Sequence, residues 1–160
     1  MERQIYIHYG TTNFDPSKGF PIKNEPHWVK PGGGLWASMI NASRGWKDWC
    51  ESEEYNHTDF TKSFQFTVKE GANIAVIKTV EDLMKLPMQD GCDYNEYKVV
   101  GHYWIDFEKC LELGIDAVEI CYYGDEYEDS EYWPLHYVLY GWDCDSIVVL
   151  NPDAIEQLEV

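Results

Sequence analysis

The sequence predicts an α+β fold with short strands, a few helices and one hydrophobic core. Its 160 residues are 44% hydrophobic and 16% aromatic, which suits a single domain spanning residues 1–160. Segments with the two-residue period of strands are interspersed with a few helical segments, without the regular alternation of repeating βαβ units. We therefore expect a mixed sheet flanked by helices.

Apolar patterning predicts the strands. Residues 4–9 place Ile5, Ile7 and Tyr9 on one face, so this strand has one face in the core. A nearly continuous β-branched run at 146–150 is typical of a well-buried strand. Further strands are predicted at 35–38, 64–68, 74–77 and 117–123.

Spacing and capping residues predict three helices. Residues 43–54 carry Trp46, Trp49 and Cys50 at spacings of three and four, as in a helix that buries an aromatic stripe. The other two helices are indicated by an N-capping residue, and in one case also by a C-terminal glycine. These residues are Thr79 with Asp82, and Asp106 with Gly114.

Two polar stretches predict loops. Residues 11–34 are rich in Pro, Gly, Asn and Lys, and a loop of that length in a compact domain is usually functional. Residues 124–131 form an acidic stretch without the spaced glycine and final glutamate of a calcium-binding EF-hand loop. We expect a solvated loop there that can contact a basic partner.

Charge and cysteine usage narrow the possible partners. Twenty-nine acidic residues against twelve basic ones give a net charge of −17, which disfavours direct binding to nucleic acids or anionic membranes. No apolar run approaches the length that spans a bilayer, and the first residues lack the basic and apolar regions of a signal peptide. Five scattered cysteines without a CxxC pair argue against a disulfide framework or a metal site, so we expect a cytoplasmic protein without a bound metal.

Three stretches, 7–12, 32–49 and 142–151, place polar and aromatic side chains beside predicted strands. They contain a histidine with a glycine two residues on, then a tryptophan after glycines, followed by a serine and a second tryptophan. The third stretch has an acid directly before a hydrophobic strand. In chain order these residues are His8, Gly10, Trp36, Ser43, Trp46 and Asp145.

In these motifs the chain resembles the ADP-ribosyltransferase superfamily, most closely its poly(ADP-ribose)-polymerase-like, His-Tyr-Glu branch. That family carries His-Gly on a first strand, Gly-Ile-Tyr on a second, then a serine and an aromatic three residues apart, and a glutamate beginning a late strand. Gly34-Leu35-Trp36 stands at the Gly-Ile-Tyr position, and Asp145 stands at the glutamate. The resemblance implies a split, mixed or antiparallel β-sheet core with a few flanking helices.

The resemblance also implies a function. The protein would be a mono-ADP-ribosyltransferase that uses NAD as its substrate and modifies a protein target with a basic surface. Small size and acidity suggest a bacterial or phage effector, toxin or anti-defence protein. The implied catalytic residues are His8, Trp36 and Asp145, and the implied NAD-binding residues are His8, Gly10, Thr11, Trp36, Ser43 and Trp46.

These residue types suit the chemistry. Trp36 and Trp46 can sandwich the cationic nicotinamide ring, because an aromatic face attracts a cation. The backbone of Gly10 and the hydroxyl of Ser43 can bind the carboxamide, and His8 can bind a ribose hydroxyl. The carboxylate would stabilise the positive charge that develops as the glycosidic bond breaks and would orient the acceptor.

Two departures from the family pattern leave alternatives open. Tyr9 separates His8 from Gly10, so the backbone of either Gly10 or Tyr9 takes the glycine's role. Aspartate is one methylene shorter than glutamate, which is compatible with mono-transfer, with a displaced substrate, or with binding without catalysis. Asp143 is a second candidate for the acidic residue beside Asp145.

A different class of function also fits the charge. A non-catalytic acidic protein could mimic nucleic acid and block a basic surface of a partner as a decoy. Release of nicotinamide from NAD distinguishes the enzyme from the decoy.

Overall fold

A computed structural model describes residues 2–26, 28–89, 104–121, 139 and 141–159. The acidic stretch predicted as a loop at 124–131 lies outside these residues. In chain order the described elements are β1 Ile5–Tyr9, β2 Lys23–Asn24, β3 Pro31–Gly32, β4 Leu35–Met39, α1 Trp46–Ser52, β5 Ser63–Val68, β6 Ile74–Ile77, α2 Val80–Met84, α3 Phe107–Glu112, β7 Ala117–Ile120, β8 Ser146–Val149 and β9 Ile155–Gln157, with a short 3₁₀ turn at Pro152–Ala154.

Seven of these strands form one sheet in the order β6-β7-β8-β4-β1-β5-β9. Only the β6–β7 pair is parallel among them, and the other neighbours are antiparallel. A separate antiparallel hairpin pairs β2 with β3, each of them two residues long. The fold is therefore mixed α and β, with a mostly antiparallel sheet and few helices, which confirms the predicted class. Within the described ranges, none of the helices has the length and apolar character needed to cross a membrane.

The two faces of the sheet bury different clusters. Directly opposed residues on neighbouring strands share a face, and β4 pairs with β8 through Trp36–Val148 and Ala37–Ile147. The face that carries Trp36, here called the Trp36 face, packs with Val148 against residues of α2 and α3. The other face, here called the Tyr6 face, packs Tyr6 with Ala37 and Ile147.

The observed elements differ from the predicted ones in the buried face of β1 and in the first residue of α1. In β1 the buried residue is Tyr6, while Ile5 and Ile7 are only half-buried. Helix α1 begins at Trp46 and not at residue 43, because the backbone N–H of Gly45 donates to the Asp48 carboxylate at 2.9 Å and Gly45 becomes the N-cap. Both predicted N-caps of the later helices are confirmed.

The long polar segment 11–34 is more structured than a loop. Besides the β2–β3 hairpin, it is closed by a hydrogen bond from the N–H of Gly34 to the carbonyl of Gly19 at 2.8 Å. Gly33 allows this approach, because its φ is +86° and a Cβ there would lie 2.3 Å from the Gly19 oxygen. The segment is thereby fastened to the start of β4.

Candidate functional site

A cleft lies at one end of the β1–β4 pairing. The two strands share the registered pairs Tyr6–Met39 and Ile7–Ser38, and the cleft is found beyond the second pair. Its volume is about 340 Å³, at the lower end of the range typical of small-molecule sites. The described residues that line it are Ile7, His8, Tyr9, Lys30, Pro31, Trp36, Ala37, Trp46, Trp142, Asp143, Cys144 and Ser146.

His8 is held at this cleft by contacts on two sides. Its Nδ1 donates a hydrogen bond to the carbonyl oxygen of Trp36 at 2.6 Å, and its ring centroid lies 5.1 Å from that of Phe64. When Nδ1 carries the proton of a neutral imidazole, Nε2 is an acceptor. His8 can therefore accept a hydrogen bond from a ligand hydroxyl.

Two tryptophans form a rigid wall of the cleft. Trp36 and Trp142 meet edge to face, with ring centroids 4.8 Å apart and planes 61° apart. Trp142 is almost wholly buried, and its Nε1 donates to the carbonyl of Val29 at 2.9 Å. The Trp36 Nε1 donates to the carbonyl of Gly33 at 3.3 Å. Both indole rings are thereby fixed before any ligand binds, which lowers the entropic cost of binding.

Trp46, at the start of α1, supplies a third aromatic ring. It stacks on Trp49 with centroids 5.2 Å apart, and its Nε1 donates to the Thr58 hydroxyl at 3.2 Å. The buried hydroxyl of Ser38 fixes the backbone here, since it accepts from the Trp46 N–H and donates to the Asp145 carbonyl, both at 3.0 Å. Ser38 thus fastens α1 and the entry to β8 onto β4.

The two candidate acids occupy different environments. Asp143 is half-buried and lies on the cleft wall. Asp145 is 5% exposed and is not on the described wall. Side chains alternate along β8, so Ser146 faces the cleft while Ile147 lies on the Tyr6 face with Glu119, its partner on β7. Asp145, directly before β8, is close enough to Glu119 for its charge to act on that carboxyl. The structure therefore brings Asp143, and not Asp145, together with His8 and the tryptophans.

Asp145 instead belongs to a buried polar cluster, defined as Tyr6, Glu119 and Asp145. The Tyr6 hydroxyl donates a hydrogen bond to the Glu119 carboxylate. Burial raises the pKa of Glu119 above its ordinary value, and the nearby charge of Asp145 raises it further. Burial likewise raises the pKa of Tyr6. This cluster lies on the face of the sheet opposite Trp36.

Three other predicted NAD-binding residues lie off the described wall of the cleft. Thr11 and Ser43 are exposed to solvent. The N–H of Gly10 donates to the Lys62 carbonyl at 2.9 Å, so it is engaged within the sheet instead of being directed to a ligand. The Gly10 N–H, expected from the resemblance to bind the carboxamide, is therefore already paired here, whereas Tyr9 is one of the residues that line the cleft.

Several residues of the cleft were missed by sequence reasoning. Trp142 directly precedes Asp143, and its position beside a candidate acid is a sequence signal that could have indicated it. Lys30 lies in the polar segment, and nothing in its local sequence distinguishes it from other lysines. Cys144 is buried, and burial raises its pKa to about 12, so its thiol stays protonated and is a poor nucleophile.

No metal centre accompanies the cleft in the part of the chain that the structure describes. There, no three His, Cys, Asp or Glu side chains are grouped so that they could hold a metal ion. The described cysteines, at positions 50, 110, 121 and 144, carry free thiols. The available chemistry is therefore that of an imidazole, a carboxylate, an ammonium group and aromatic faces.

Comparisons with protein-family models, with curated proteins and with solved structures gave no match to this chain.

Proposed function

We propose that the protein is a mono-ADP-ribosyltransferase that cleaves NAD in this cleft and transfers ADP-ribose to a protein with a basic surface. The observation that carries the proposal is that residues of the three sequence motifs meet at one cleft. The strands that bear the three sequence motifs, β1, β4 and β8, are neighbours in the sheet. Residues from all three motif stretches meet on the cleft wall, namely His8, Trp36, Trp46 and Asp143.

The aromatic rings suit the leaving group of the reaction. Nicotinamide in NAD is a flat cation, and Trp36 and Trp46 offer π-faces that attract it by about 0.5–2 kcal/mol, depending on solvation. Because Trp142 and Trp49 hold these rings in place, the site is organised for a flat heterocycle. Binding in a fixed orientation is itself a large part of catalysis for such a transfer.

The polar groups suit the bond that breaks. The glycosidic bond between the ribose C1′ and the nicotinamide nitrogen would break with its electron pair leaving on nicotinamide. The Asp143 carboxylate would stabilise the positive charge left on the ribose, and His8 would accept a hydrogen bond from a ribose hydroxyl. The acceptor's nucleophile would then bond to C1′ and release its proton to solvent. In this proposal Asp143 takes the role that the motif alone assigned to Asp145.

The net charge of the chain supports a basic protein as the acceptor of ADP-ribose. A net charge of −17 attracts basic protein surfaces and repels nucleic acid at a distance. The short aspartate in place of the family's glutamate favours transfer of a single ADP-ribose over chain elongation.

Calorimetric titration with NAD, combined with an assay for released nicotinamide, tests the proposal. We expect NAD to bind the wild type and Trp36→Ala to weaken that binding by about tenfold or more, since an aromatic face is lost. Leu113→Ala is the control, because Leu113 is an exposed apolar side chain at the end of α3 and lies off the described cleft wall.

Absence of NAD binding at millimolar concentration would overturn the proposal. Salt-sensitive binding of the chain to a basic protein without release of nicotinamide would then support the acidic decoy, because ionic screening weakens such contacts.

A further inference from the structure

Lys30 brings an ammonium group to the cleft of a strongly acidic protein. Its Nζ lies 5.5 Å from the centre of the Trp36 ring, and its side chain is part of the cleft wall. Apart from the phenol of Tyr9 and the thiol of Cys144, the other ionisable groups on the described wall are those of His8 and Asp143. With a net charge of −17 over the whole chain, an ammonium group at this position creates a local site for anions.

The backbone on both sides of Lys30 is anchored. The preceding Val29 is 5% exposed, and its carbonyl accepts the Trp142 Nε1–H at 2.9 Å. The following Pro31 is buried and pairs with Asn24 across the β2–β3 hairpin. These anchors confine the Lys30 ammonium to the cleft, although the flexible stem still lets it move within it.

The position of Lys30 over Trp36 conflicts with a bound nicotinamide. Two cations cannot share one aromatic face without repulsion, which is strong in a cleft where water is partly excluded. NAD, however, also carries a pyrophosphate with two negative charges. An ammonium displaced from the ring would find a partner in that pyrophosphate, where its three N–H donors form charge-assisted hydrogen bonds.

We propose that Lys30 is the pyrophosphate contact of the cleft and that its ammonium leaves the Trp36 face when the dinucleotide binds. This inference rests on the proposed function, because it assigns a part of NAD to a residue of the same cleft. Lys30 is then a specificity-determining residue that favours dinucleotides and ADP-ribose over free nicotinamide.

Titration calorimetry of the wild type and of Lys30→Met with three ligands, NAD, ADP-ribose and nicotinamide, tests the proposal. Methionine keeps an unbranched apolar stem over Trp36 and removes only the charge. We expect affinity for NAD and for ADP-ribose to fall by about tenfold, as for loss of a charge-assisted hydrogen bond. Affinity for nicotinamide should stay the same or rise, since a competing cation has gone.

Two further variants sharpen the test. Lys30→Arg keeps the charge and should restore most of the affinity for ADP-ribose. Lys69→Met removes an equal charge from an exposed position just after β5 and should leave all three affinities unchanged. The decrease in ADP-ribose affinity on adding salt should also be smaller in Lys30→Met than in the wild type.

The outcomes separate this inference from the proposed function. Unchanged affinity of Lys30→Met for ADP-ribose, or an equal loss for all three ligands, overturns the pyrophosphate contact while NAD binding by the wild type stands. A wild type that binds neither NAD nor ADP-ribose overturns the proposed function and the inference together.

Discussion

The cleft and the buried polar cluster differ in their access to a ligand, although the same short segment of chain before β8 serves both. Asp143 reaches the cleft, where Lys30 and solvent are near, while Asp145, two residues later, belongs to the cluster with Tyr6 and Glu119. In the cleft the Asp143 carboxylate lies on the wall of a cavity that can hold a ligand. In the cluster, burial makes charge costly and raises the pKa of Glu119. The environment of a carboxylate, and not its residue type or motif position, therefore decides whether it can contact a ligand.

The largest expected effect separates the two aspartates. Asp143→Asn should lower the rate of nicotinamide release at saturating NAD by about a hundredfold or more, since it removes the charge that stabilises the transition state. Asp145→Asn should change this rate by no more than about threefold, because Asp145 lies off the described cleft wall and near Glu119. The measurement is the release rate of each variant beside its free energy of unfolding.

One result would contradict this assignment of the two aspartates. If Asp145→Asn abolishes release while its free energy of unfolding equals that of the wild type, the acid directly before β8 is the catalytic group, as the motif predicts. Asp143 would then be a residue of the wall without a role in the transition state.

A smaller effect is expected from the buried cluster. Tyr6→Phe removes the donor to Glu119 and should lower the free energy of unfolding by about 1–3 kcal/mol, the usual cost of leaving a buried acceptor unsatisfied. NAD affinity should be unchanged. Tyr55→Phe, at an exposed ring, is the control, and urea titration measures both. Equal stability of the two variants would show that the Tyr6–Glu119 bond contributes nothing.

The smallest effect concerns pH. Burial, then Asp145, raise the pKa of Glu119 above 4.5, against opposing effects of Tyr6 and Lys78. The folded state therefore holds a proton that the unfolded chain has released, and the free energy of unfolding falls as pH rises from about 4.5 through the folded pKa. Glu119→Gln should remove this fall, so its stability relative to the wild type increases with pH.

Urea titrations at several pH values between about 4.5 and 8 measure this difference. Glu70→Gln, at an exposed site, is the control and should follow the wild type at every pH. A constant difference between Glu119→Gln and the wild type across this range would contradict the assigned proton.

Much of the secondary structure follows from local sequence signals. The alternation at residues 64–68 and the continuous run before Leu150 predict β5 and β8, because strand periodicity is a property of neighbouring residues. Thr79 and Asp106 predict the starts of α2 and α3, since capping is equally local. Strand β9 was not predicted, because Ile155–Gln157 carries no distinctive pattern and is a strand through its pairing with β5.

The candidate site was less predictable than the elements that carry it. The sequence indicated His8, Trp36 and Trp46, each beside a predicted strand or helix, and these residues meet at the cleft. It did not indicate Lys30 or Trp142, which reach the cleft through the packing of the 11–34 segment and of the chain before β8. Contacts between residues over a hundred positions apart, such as Trp142 with Val29, leave no local pattern.

By itself, the sequence determined the class of fold, the positions of most strands and helices, and the three motifs with their order along the chain. Periodicity, capping and residue chemistry act over a few neighbouring residues and can be recognised there. Only the tertiary structure decided that β1, β4 and β8 are neighbours and that Asp143 faces the cleft while Asp145 is buried. Strand order and the phase of the pleat depend on long-range pairing, and a shift of one residue moves a side chain to the opposite face.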